Sequence, residues 1–451
     1  IETLIKATEK LGENAIPLVW DVEDIDIAEE KLNEAIQIMG GLDIVVNNAG
    51  VFPETGEWDK DSLLKITPEQ CQGSLRPYPK TTEQTAAPDS LTPVYLIHIG
   101  RHGSRFPAGP YSASTMLKAL NKADSLKTLT PLGMQFKRLV ENIIIRSVGR
   151  WGALDSIGMS EQRGIARRTV KRCAPLFENA RMVSIASHSP RAIMSMYSFT
   201  HEISTQVPGI SSYTYAGKEF DPLMRPFDAD STYKAYMKKK PYMDIYNKYV
   251  AKTAPNTVTR LLGKNYPATK RELQELSIIE YYNIANMEAM GMTNDWQSYF
   301  SEQEYEQLWS CFNLRQYFMH CKNTLSDAPA NQSKPLLRDI ISMLTATKQG
   351  KAEANIATYF AHQETVMPFM SLMKMTGTEF KGKDWSKLKN SVQDYFLCPM
   401  AANIQYTVYR GKSGTLYLRC DLNEHIISIK NDDRQYIKLD EAIAYFRSLA
   451  K

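Results

Sequence analysis

The pattern of apolar and polar positions predicts a mixed α/β protein. Apolar runs of about four to eight residues predict buried strands, whereas apolar residues recurring every three or four positions predict helices. Two such runs, "VYLIHI" at 94–99 and "MVSIAS" at 182–187, are each followed by stretches with helical spacing. Two of these helices have clear start signals, because Thr130 and Ser189 are each followed by a proline. The alternation of strand and helix predicts a core sheet flanked by helices.

The middle of the chain has a different pattern. Between 206 and 348 strand signals are scarce, and helical spacing runs through stretches such as "KRELQELSIIEYYNIANMEAMG". We therefore interpret 206–348 as an all-helical cap inserted into a core formed by 71–205 and 349–451. In the last part, "NIQYTVYR" and "GTLYLRCDL" predict a β-hairpin around "GKSG".

Composition narrows the class of protein. Of the 451 residues, 43% are hydrophobic and 23% charged, which is typical of a soluble globular chain. The net charge of +4 is too small to indicate a nucleic-acid partner, and no apolar run approaches the roughly 18 residues of a membrane span. The six cysteines include no CxxC motif or zinc-like spacing, so no metal is expected. They fit either buried thiols or one or two disulfides.

The strongest chemical signal is "RHGSRFP", which directly follows the strand at 94–99. A neutral imidazole is a good nucleophile, and attack on a phosphate monoester must overcome repulsion from the phosphate oxygens. Arg101 and Arg105 can offset that repulsion with planar, permanently charged donors. Gly103 is expected to let the backbone approach the ligand closely. The motif therefore predicts a phosphate site in which His102 attacks.

This segment resembles the RHGxRxP signature of the histidine acid phosphatases, within the phosphoglycerate-mutase-like superfamily, and the resemblance covers about 71–451. It implies that "SIASHSPRAIMSM" supplies a further phosphate-binding arginine, Arg191. It also implies that "YFAHQET" supplies a second phosphate-binding histidine, His362, and the acid Glu364.

The "HQET" segment is most similar to the multiple inositol polyphosphate phosphatase branch, in which an Ala usually stands where this chain has Gln363. The resemblance implies phytate-like inositol phosphates as substrates, no cofactor, and a periplasmic or secreted location. A cytoplasmic location and the oligomeric state stay open. A carboxylic acid two residues after a phosphate-binding histidine could protonate the leaving oxygen, which is the role expected of Glu364.

A basic helix could add contacts to a substrate with several phosphates. Arg163, Arg167 and Lys171 are spaced four residues apart, which places them on one helix face. Such a face is more often simply solvated, and the alternative is that it binds the distal phosphates of a polyanion.

The first seventy residues resemble a fragment of a short-chain dehydrogenase, with "WDVED" and "LDIVVNNAG" forming one partial βαβ, Rossmann-like unit. No TGxxxGxG phosphate loop precedes Asp21, and the catalytic Ser and YxxxK segments do not follow. We therefore expect 1–70 to be a fragment without oxidoreductase function and dispensable for activity.

The leading hypothesis is a cofactor-independent phosphomonoesterase that hydrolyses inositol polyphosphates through a phosphohistidine on His102. The alternative within the superfamily is a general acid phosphatase or a sugar-phosphate phosphatase, and a phosphomutase fits the motifs less well. A polyanion-binding module without catalysis and a bifunctional dehydrogenase–phosphatase are the competing classes.

Overall fold

A computed structural model of the protein describes residues 66–79, 84–430, 432 and 434–451. The dehydrogenase-like segment, predicted for 1–70, lies outside the described residues except for its last five positions. Within the described ranges, no helix combines the length and the apolar character needed to cross a membrane.

The fold is built on a mixed sheet with the strand order β3-β2-β4-β1-β5-β6-β7, and β8 pairs with β6. The first four strands in this order are parallel, whereas β5, β6, β7 and β8 pair antiparallel. The strands are β1 Leu91–Arg101, β2 Arg181–Ala186, β3 Ser211–Ala216, β4 Ile356–Ala361, β5 Asn403–Gly411, β6 Leu416–Leu422, β7 His425–Ile427 and β8 Tyr436–Lys438.

Helices cover both faces of the sheet and form a separate helical layer. The α-helices are α1 Tyr111–Ser125, α2 Pro131–Ser147, α3 Ser156–Arg172, α4 Ala174–Phe177, α5 Pro190–Gln206, α6 Pro226–Ala229, α7 Ser231–Lys239, α8 Met243–Thr253, α9 Thr259–Leu262, α10 Lys270–Ala285, α11 Glu302–His320, α12 Ala328–Asn331, α13 Lys334–Lys348, α14 Gln363–Leu372, α15 Asp394–Leu397 and α16 Leu439–Leu449. Short 3₁₀ segments occur at Gln70–Leu75, Glu288–Met290, Trp296–Ser298 and Trp385–Asn390.

The side chains of the central strand β1 alternate between the two faces of the sheet. In β1, Ile97 and Ile99 point into a core shared with α13, α14 and α16. Leu96 points to the opposite face and packs in a core with residues of α3 and α5. Successive side chains of a strand point to opposite faces, so a strand buried on both faces is apolar almost throughout. This explains why "VYLIHI" is a continuous apolar run.

The helical layer differs from the cap expected over 206–348. Strand β3 lies in that range and joins the core sheet, so the range is not entirely helical. Its sequence "SSYTYA" carries few apolar residues because it is an exposed edge strand, and the strand signal was therefore weak. The sequence also places α1 and α2 in the α/β core formed by 71–205 and 349–451. In the structure they pack instead with residues of α9, α10 and α11, which belong to the helical layer.

Two local sequence predictions are confirmed. The hairpin of β5 and β6 forms around the "GKSG" turn with Ile404 opposite Leu422. Thr130 caps α2, since its hydroxyl accepts a hydrogen bond from the backbone N–H of Gly133 at 3.0 Å. Ser189 occupies the N-cap position of α5, but its side chain makes no capping hydrogen bond.

The cysteines all lie in the described residues, and each is buried with an unpaired thiol: Cys71, Cys173, Cys311, Cys321, Cys398 and Cys420. The structure therefore favours the first of the two interpretations, buried thiols.

The segment just before β1 is part of the folded body. Ile66, Cys71 and Leu75 are buried in the same core as α1 and α2. The hydroxyl of Tyr281 donates a hydrogen bond to the carbonyl of Cys71 at 2.8 Å. The folded body thus begins at or before Ile66, a few residues before the boundary at 71 expected from sequence.

A shortened chain tests this boundary. We expect a chain that begins at Ile66 to keep its thermal stability and the phosphatase activity that the RHGSRFP resemblance implies. A chain that begins at Pro77 should melt at a lower temperature, because each lost apolar side chain of the core contributes about 1.5–3 kcal/mol. Differential scanning fluorimetry and initial rates of both chains provide the measurement. Equal stability of the two chains would contradict the assignment of 66–76 to the core.

Candidate active site

Three neighbouring parallel strands end at the same edge of the sheet and gather the predicted site residues there. His102 follows β1, His362 follows β4, and the segment from Ser187 to Arg191 follows β2. The carboxyl ends of strands in such sheets form a crevice that commonly binds ligands. The rings of His102 and His362 lie edge to face, with centroids 5.5 Å apart.

The orientation of the His102 ring identifies its free nitrogen. Nδ1 lies 2.9 Å from the backbone carbonyl oxygen of Gly103. A carbonyl oxygen can only accept a hydrogen bond, so Nδ1 carries the proton. The lone pair is therefore on Nε2, which is the atom available for attack on phosphorus. The same hydrogen bond would stabilise the positive charge that the ring gains when Nε2 is phosphorylated.

The surroundings keep His102 neutral. Burial, followed by the positive charges of Arg191 and Arg105, lowers the pKa of His102 well below its ordinary value. This lowered pKa suits a nucleophile, because a protonated imidazole has no lone pair for attack on phosphorus. His102 consequently stays in its nucleophilic form in acidic solution.

Gly103 allows a close backbone approach within the protein. A Cβ at this position would lie 2.5 Å from the carbonyl oxygen of Gly158 and 2.6 Å from its Cα. Gly103 therefore lets the loop after β1 pack closely against the first turn of α3. The expected close approach of this backbone to a ligand stays a prediction. The Gly103 N–H donates to the hydroxyl of Ser195 at 3.1 Å, which ties the same loop to α5.

The three predicted arginines surround His102, and each retains an unused donor. Arg101 is buried, and its Nη1 donates to the carbonyls of Ser74 and Cys398 at 2.7 and 2.6 Å. Nη1 of Arg105 donates to the carbonyl of Phe106 at 2.8 Å. Among the described residues, the buried Nε atoms of Arg101, Arg105 and Arg191 have no hydrogen-bond partner.

Crowding of these cations has an electrostatic cost. Burial, followed by repulsion from Arg191 and Arg101, lowers the pKa of Arg105 to about 9. Burial also lowers the pKa of Arg191, with Arg225 and Arg101 acting in the same direction. Unpaired buried cations are unfavourable, and an anion bound among them would relieve both the repulsion and the unmet hydrogen bonds.

His362 is neutral and held on both sides. Its Nδ1 lies 3.3 Å from Nη2 of Arg191, and its Nε2 lies 2.8 Å from the hydroxyl of Ser187. Nε2 also lies 3.2 Å from Nη1 of Arg225, so both ring nitrogens face a guanidinium and the neutral ring can accept a hydrogen bond from only one of them. Burial, followed by the charge of Arg191, lowers the pKa of His362 to about 3.

Glu364 lies in the first turn of α14, where the helix N-terminus favours a negative charge. Burial alone would raise the pKa of this carboxyl, but His362, His320 and Arg101 lower it to about 2. Glu364 is therefore ionised at any pH well above 2 when no anion is bound. A bound phosphate would bring negative charge next to it and oppose this effect, raising the pKa towards the protonated form.

Several residues of the site escaped the sequence analysis. Arg225 places Nη1 3.2 Å from Nε2 of His362 and pairs with Asp228 at 2.6 Å. It lies just before α6, in the range interpreted as the cap, so no motif pointed to it. The hydroxyl of Thr365 donates to the carbonyl of Met224 at 2.8 Å and thereby fixes the backbone beside Arg225.

A second group supports the loop after β1. Glu161 accepts hydrogen bonds from the N–H and the hydroxyl of Ser104 at 2.7 and 2.6 Å. The side-chain amide of Gln162 donates to the carbonyl of Arg101 at 2.9 Å. Both residues lie on α3, and the only sequence signal for them is their place on the helix after the RHGSRFP loop.

The basic helix α3 carries its cations on two faces. Arg163, Arg167 and Lys171 are exposed, and Arg167 pairs with Glu202 at 2.7 Å. Arg172 lies on the inner face and pairs with buried Asp421 at 2.6 Å. The structure does not bring the exposed three together with His102, and their binding of distal phosphates stays a prediction.

The planar donors of Arg191 should matter more than its charge. Arg191→Lys keeps a cation but loses the arrangement of donors facing His362 and the site. We expect kcat/KM to fall by about tenfold to a hundredfold. Arg434→Lys, an exposed change in a surface ion pair, is the matched control and should leave kcat/KM unchanged. A near wild-type Arg191→Lys enzyme would place Arg191 outside contact with phosphate.

Comparison with solved structures identifies the fold. The multiple inositol polyphosphate phosphatase of Bifidobacterium longum, solved in complex with inositol hexasulfate, aligns with a TM-score of 0.70 and 15% identity. The alignment covers 82% of this chain and 96% of that one. The phytase from D. castellii aligns with a TM-score of 0.66 and 15% identity, covering 98% of this chain and 92% of that one.

A phytase from Hafnia alvei, solved in complex with tartrate, aligns less closely, with a TM-score of 0.51 and 12% identity over 81% of this chain and 98% of that one. No protein-family profile matches the chain, and no curated protein matches it either. At these identities the structural likeness establishes a shared phytase-like fold. It agrees with the α/β core predicted from the RHGSRFP resemblance.

Proposed function

We propose that the protein is a phosphomonoesterase that hydrolyses inositol polyphosphates such as phytate through a phosphohistidine on His102. One observation carries the proposal. Three buried guanidinium Nε–H donors, on Arg101, Arg105 and Arg191, point to no partner around a neutral histidine whose Nε2 is free. Buried donors are almost always satisfied in native proteins, so a phosphate is the ligand that fits this gap.

The reaction follows from these positions. The lone pair of His102 Nε2 forms a bond to phosphorus while the bond from phosphorus to the alcohol oxygen breaks. Glu364 gives its proton to the leaving oxygen, so the product leaves as a neutral alcohol. A water molecule then attacks phosphorus and gives one proton to Glu364. The nitrogen–phosphorus bond breaks, its electron pair returns to Nε2, and inorganic phosphate is released.

Protonation of Glu364 is coupled to substrate binding. Burial raises the pKa of Glu364, but His362, His320 and Arg101 lower it to about 2. A phosphate bound to the guanidinium groups offsets their positive charge and raises the pKa of Glu364. The working acid therefore forms in the substrate complex, and turnover should fall as the pH rises through the pKa of Glu364 in that complex.

A cleft beside the site has room for a large substrate. A cavity of about 220 Å³ next to Arg105 shares Tyr111, Ser112 and Tyr282 with a second cavity of about 660 Å³. The larger cavity is lined by tyrosines and by the cations Lys240, Arg271 and Arg315. This supports a substrate that extends beyond one phosphate, as does the resemblance of "HQET" to the inositol polyphosphate branch.

Distal phosphates thus have two candidate binding surfaces. One is the cleft, where Arg315 is exposed on α11, a helix that is otherwise largely buried. The other is the exposed face of α3 with Arg163, Arg167 and Lys171. If the cleft binds the distal phosphates, Arg315→Ala should raise KM for phytate several-fold. If the exposed face of α3 binds them, replacing Arg163, Arg167 and Lys171 together by Ala should have that effect instead.

The second candidate function is a general acid phosphatase or sugar-phosphate phosphatase, since the His102 site needs only one phosphate. A comparison of phytate with glycerol phosphate separates the two. We expect a higher kcat/KM for phytate. A preference for glycerol phosphate would reject the inositol polyphosphate assignment and leave the phosphohistidine mechanism intact.

A rapid-quench experiment with labelled phytate tests the phosphoryl-enzyme. We expect an acid-labile, base-stable label on the protein within one turnover, which is the behaviour of a phosphohistidine. Binding of phytate without labelling or turnover would instead indicate a binding module. The periplasmic or secreted location implied by the resemblance is part of the proposal and can be tested by fractionation of the native host.

A further inference from the structure

A further cavity lies in the α/β core, away from the candidate active site. Its volume is about 340 Å³, and it lies between helix α13 and the sheet face formed by β1, β2, β3 and β4. This volume is within the range of about 300–1,000 Å³ that is typical of small-molecule sites. The residues that line it include none of the RHGSRFP loop, the segment after β2 or the HQET segment. The cavity is therefore a candidate for a second, separate site.

Helix α13 leaves part of this sheet face uncovered. Tyr215 on β3 lies opposite Ile185 on β2, and Ile185 lies opposite Tyr359 on β4. Ile185 and Tyr359 are buried, whereas Tyr215 on the edge strand is 54% exposed. Side chains directly opposite each other in neighbouring strands share one face, so these three form a row across the sheet. The cavity thus has an apolar and aromatic floor, with Tyr215 at its rim.

Asp339 brings a negative charge to this cavity. It lies on α13, is half-buried, and accepts a hydrogen bond from the hydroxyl of Tyr359. Within the described part of the chain, its carboxylate takes part in no ion pair. The adjacent Arg338 donates instead to the carbonyl of Ala450 at 3.0 Å. A half-buried carboxylate that faces a cavity without a cation favours binding of a positively charged ligand.

Three phenol groups line the cavity together with Asp339, those of Tyr95, Tyr215 and Tyr359. The sulfur of Met343, a weak acceptor, lies 3.4 Å from the Tyr359 hydroxyl, and the carboxylate of Asp339 is the stronger acceptor. Since Tyr359 gives its one hydroxyl proton to Asp339, its oxygen can only accept from a ligand. Burial, followed by the charge of Asp339, raises the pKa of Tyr95 to about 12, so this phenol stays neutral. Tyrosine rings and carboxylates together are suited to organic cations.

The other charged residues of the cavity lie at its opposite end. Lys351 and Glu353 are exposed and follow the last residue of α13, Lys348. Lys348 is nine residues after Asp339, which corresponds to about 13 Å along the helix axis. Lys351 and Glu353 carry opposite charges, so their net contribution is small. The charge of Asp339 therefore dominates the end of the cavity that the tyrosines line.

We propose that this cavity is a binding site for a small organic cation with an apolar body. The ammonium group donates to the carboxylate of Asp339 and to the phenol oxygen of Tyr359. The apolar body lies against the sheet, on Val183, Ile185 and Ala357. A primary ammonium fits better than a quaternary one, because both protein groups accept hydrogen bonds and only the primary ammonium can donate them.

Benzylamine is a suitable probe, since at about pH 7 it carries one positive charge on a small apolar body. Benzyl alcohol has nearly the same shape without the charge, and ligand-observed NMR titrations measure the Kd of both. We expect the wild type to bind benzylamine at least about tenfold more tightly than benzyl alcohol. Absence of benzylamine binding at about 10 mM would overturn the proposal.

Asp339→Asn separates the charge of this residue from its shape. Asparagine keeps the size of the side chain and an oxygen that can accept from Tyr359, but it removes the negative charge. We expect Kd for benzylamine to rise at least about tenfold, while Kd for benzyl alcohol changes by less than about twofold. Glu353→Gln removes the same charge at the exposed end and is the matched control, which should leave both values unchanged. Equal weakening by the two variants would indicate attraction by surface charge alone and would overturn the site.

Two further variants cover the case in which Asp339→Asn does not fold, as reported by its melting temperature. Tyr359→Phe keeps the ring and removes the phenol oxygen, so it should weaken benzylamine more than benzyl alcohol. Ala346→Leu places a larger side chain on the α13 wall of the cavity and should weaken both probes. Unchanged benzylamine binding in these two variants would place the probe elsewhere and overturn the proposal.

This site does not depend on the proposed function, and the experiments keep the two apart. His102→Ala should bind benzylamine as the wild type does, and inorganic phosphate should not displace the amine. A chain that hydrolyses phytate but shows no binding that depends on Asp339 would reject the cation site alone. A chain that binds benzylamine through Asp339 but hydrolyses no phosphomonoester would reject the proposed function alone.

Discussion

His102→Ala should abolish turnover on every substrate while the protein still folds. The mutation removes Nε2, the one atom of the site that combines a free lone pair with three surrounding guanidinium groups. We expect kcat to fall by at least about a thousandfold, since loss of a covalent nucleophile leaves only binding and electrostatic contributions. Folding should survive, because within the described residues the His102 side chain makes a single hydrogen bond, to the adjacent carbonyl of Gly103.

The measurement combines initial rates with circular dichroism and the rapid-quench label. His201→Ala, an exposed change on α5, is the matched control and should behave as wild type. A His102→Ala enzyme with a tenth or more of wild-type turnover would be incompatible with covalent catalysis at this position. Loss of turnover with retained labelling would mean that a different residue receives the phosphoryl group.

Glu364→Gln should produce the second large effect, and its size should depend on the leaving group. An inositol alkoxide is a poor leaving group and needs a proton, so kcat on phytate should fall by about a hundredfold or more. The leaving group of p-nitrophenyl phosphate scarcely needs protonation, so more of its turnover should remain. Equal losses on both substrates would count against the donor role.

The pH dependence of Glu364→Gln gives an independent check. If Glu364 is the proton donor, its protonated form is the working form, so the kcat of the wild type should be full below the pKa of Glu364 in the complex and decline above it. Glutamine does not titrate, and the decline should disappear from the kcat profile of the variant. The profile should be measured on phytate, where proton donation limits the rate most.

The parts of the site that sequence could predict are those encoded within a few consecutive residues. The RHGSRFP loop, Arg191 at a helix start and Glu364 two residues after His362 all lie where strands of the parallel sheet end. A strand followed by a helix start is a local signal, and the crevice at the strand ends follows from the α/β pattern. The RHGSRFP pattern itself predicted the loop, whereas Arg191 and Glu364 were implied by the resemblance to the histidine acid phosphatases, and the structure places all of them at this edge of the sheet.

The remaining contacts could not be predicted because they join residues far apart in the chain. The carbonyls of Ser74 and Cys398 hold Arg101 from segments separated by more than 300 residues. Every residue has a backbone carbonyl, so the sequence gives no signal for a contact of this kind. The contact of Gly103 with Gly158 could not be predicted for the same reason, since the packing of α3 brings Gly158 close.

The position of β3 at the edge of the sheet explains why 206–348 was wrongly predicted to be entirely helical. Strand β3 pairs only with β2 and exposes most of its side chains, so its sequence has none of the apolar character of β1 or β4. The strands that sequence identified are buried on both faces. Those strands could be predicted because burial on both faces requires a continuous run of apolar residues, whereas strand geometry alone does not.

The unmet donors of Arg101, Arg105 and Arg191 also bear on how the catalytic cycle ends. Inorganic phosphate offers these donors the same oxygens as the substrate and a similar negative charge. The groups that bind the substrate should therefore also bind the product, and we expect inorganic phosphate to act as a competitive inhibitor. For a substrate with many phosphates, we expect departure of each released phosphate before the next attack to limit the rate of successive hydrolysis.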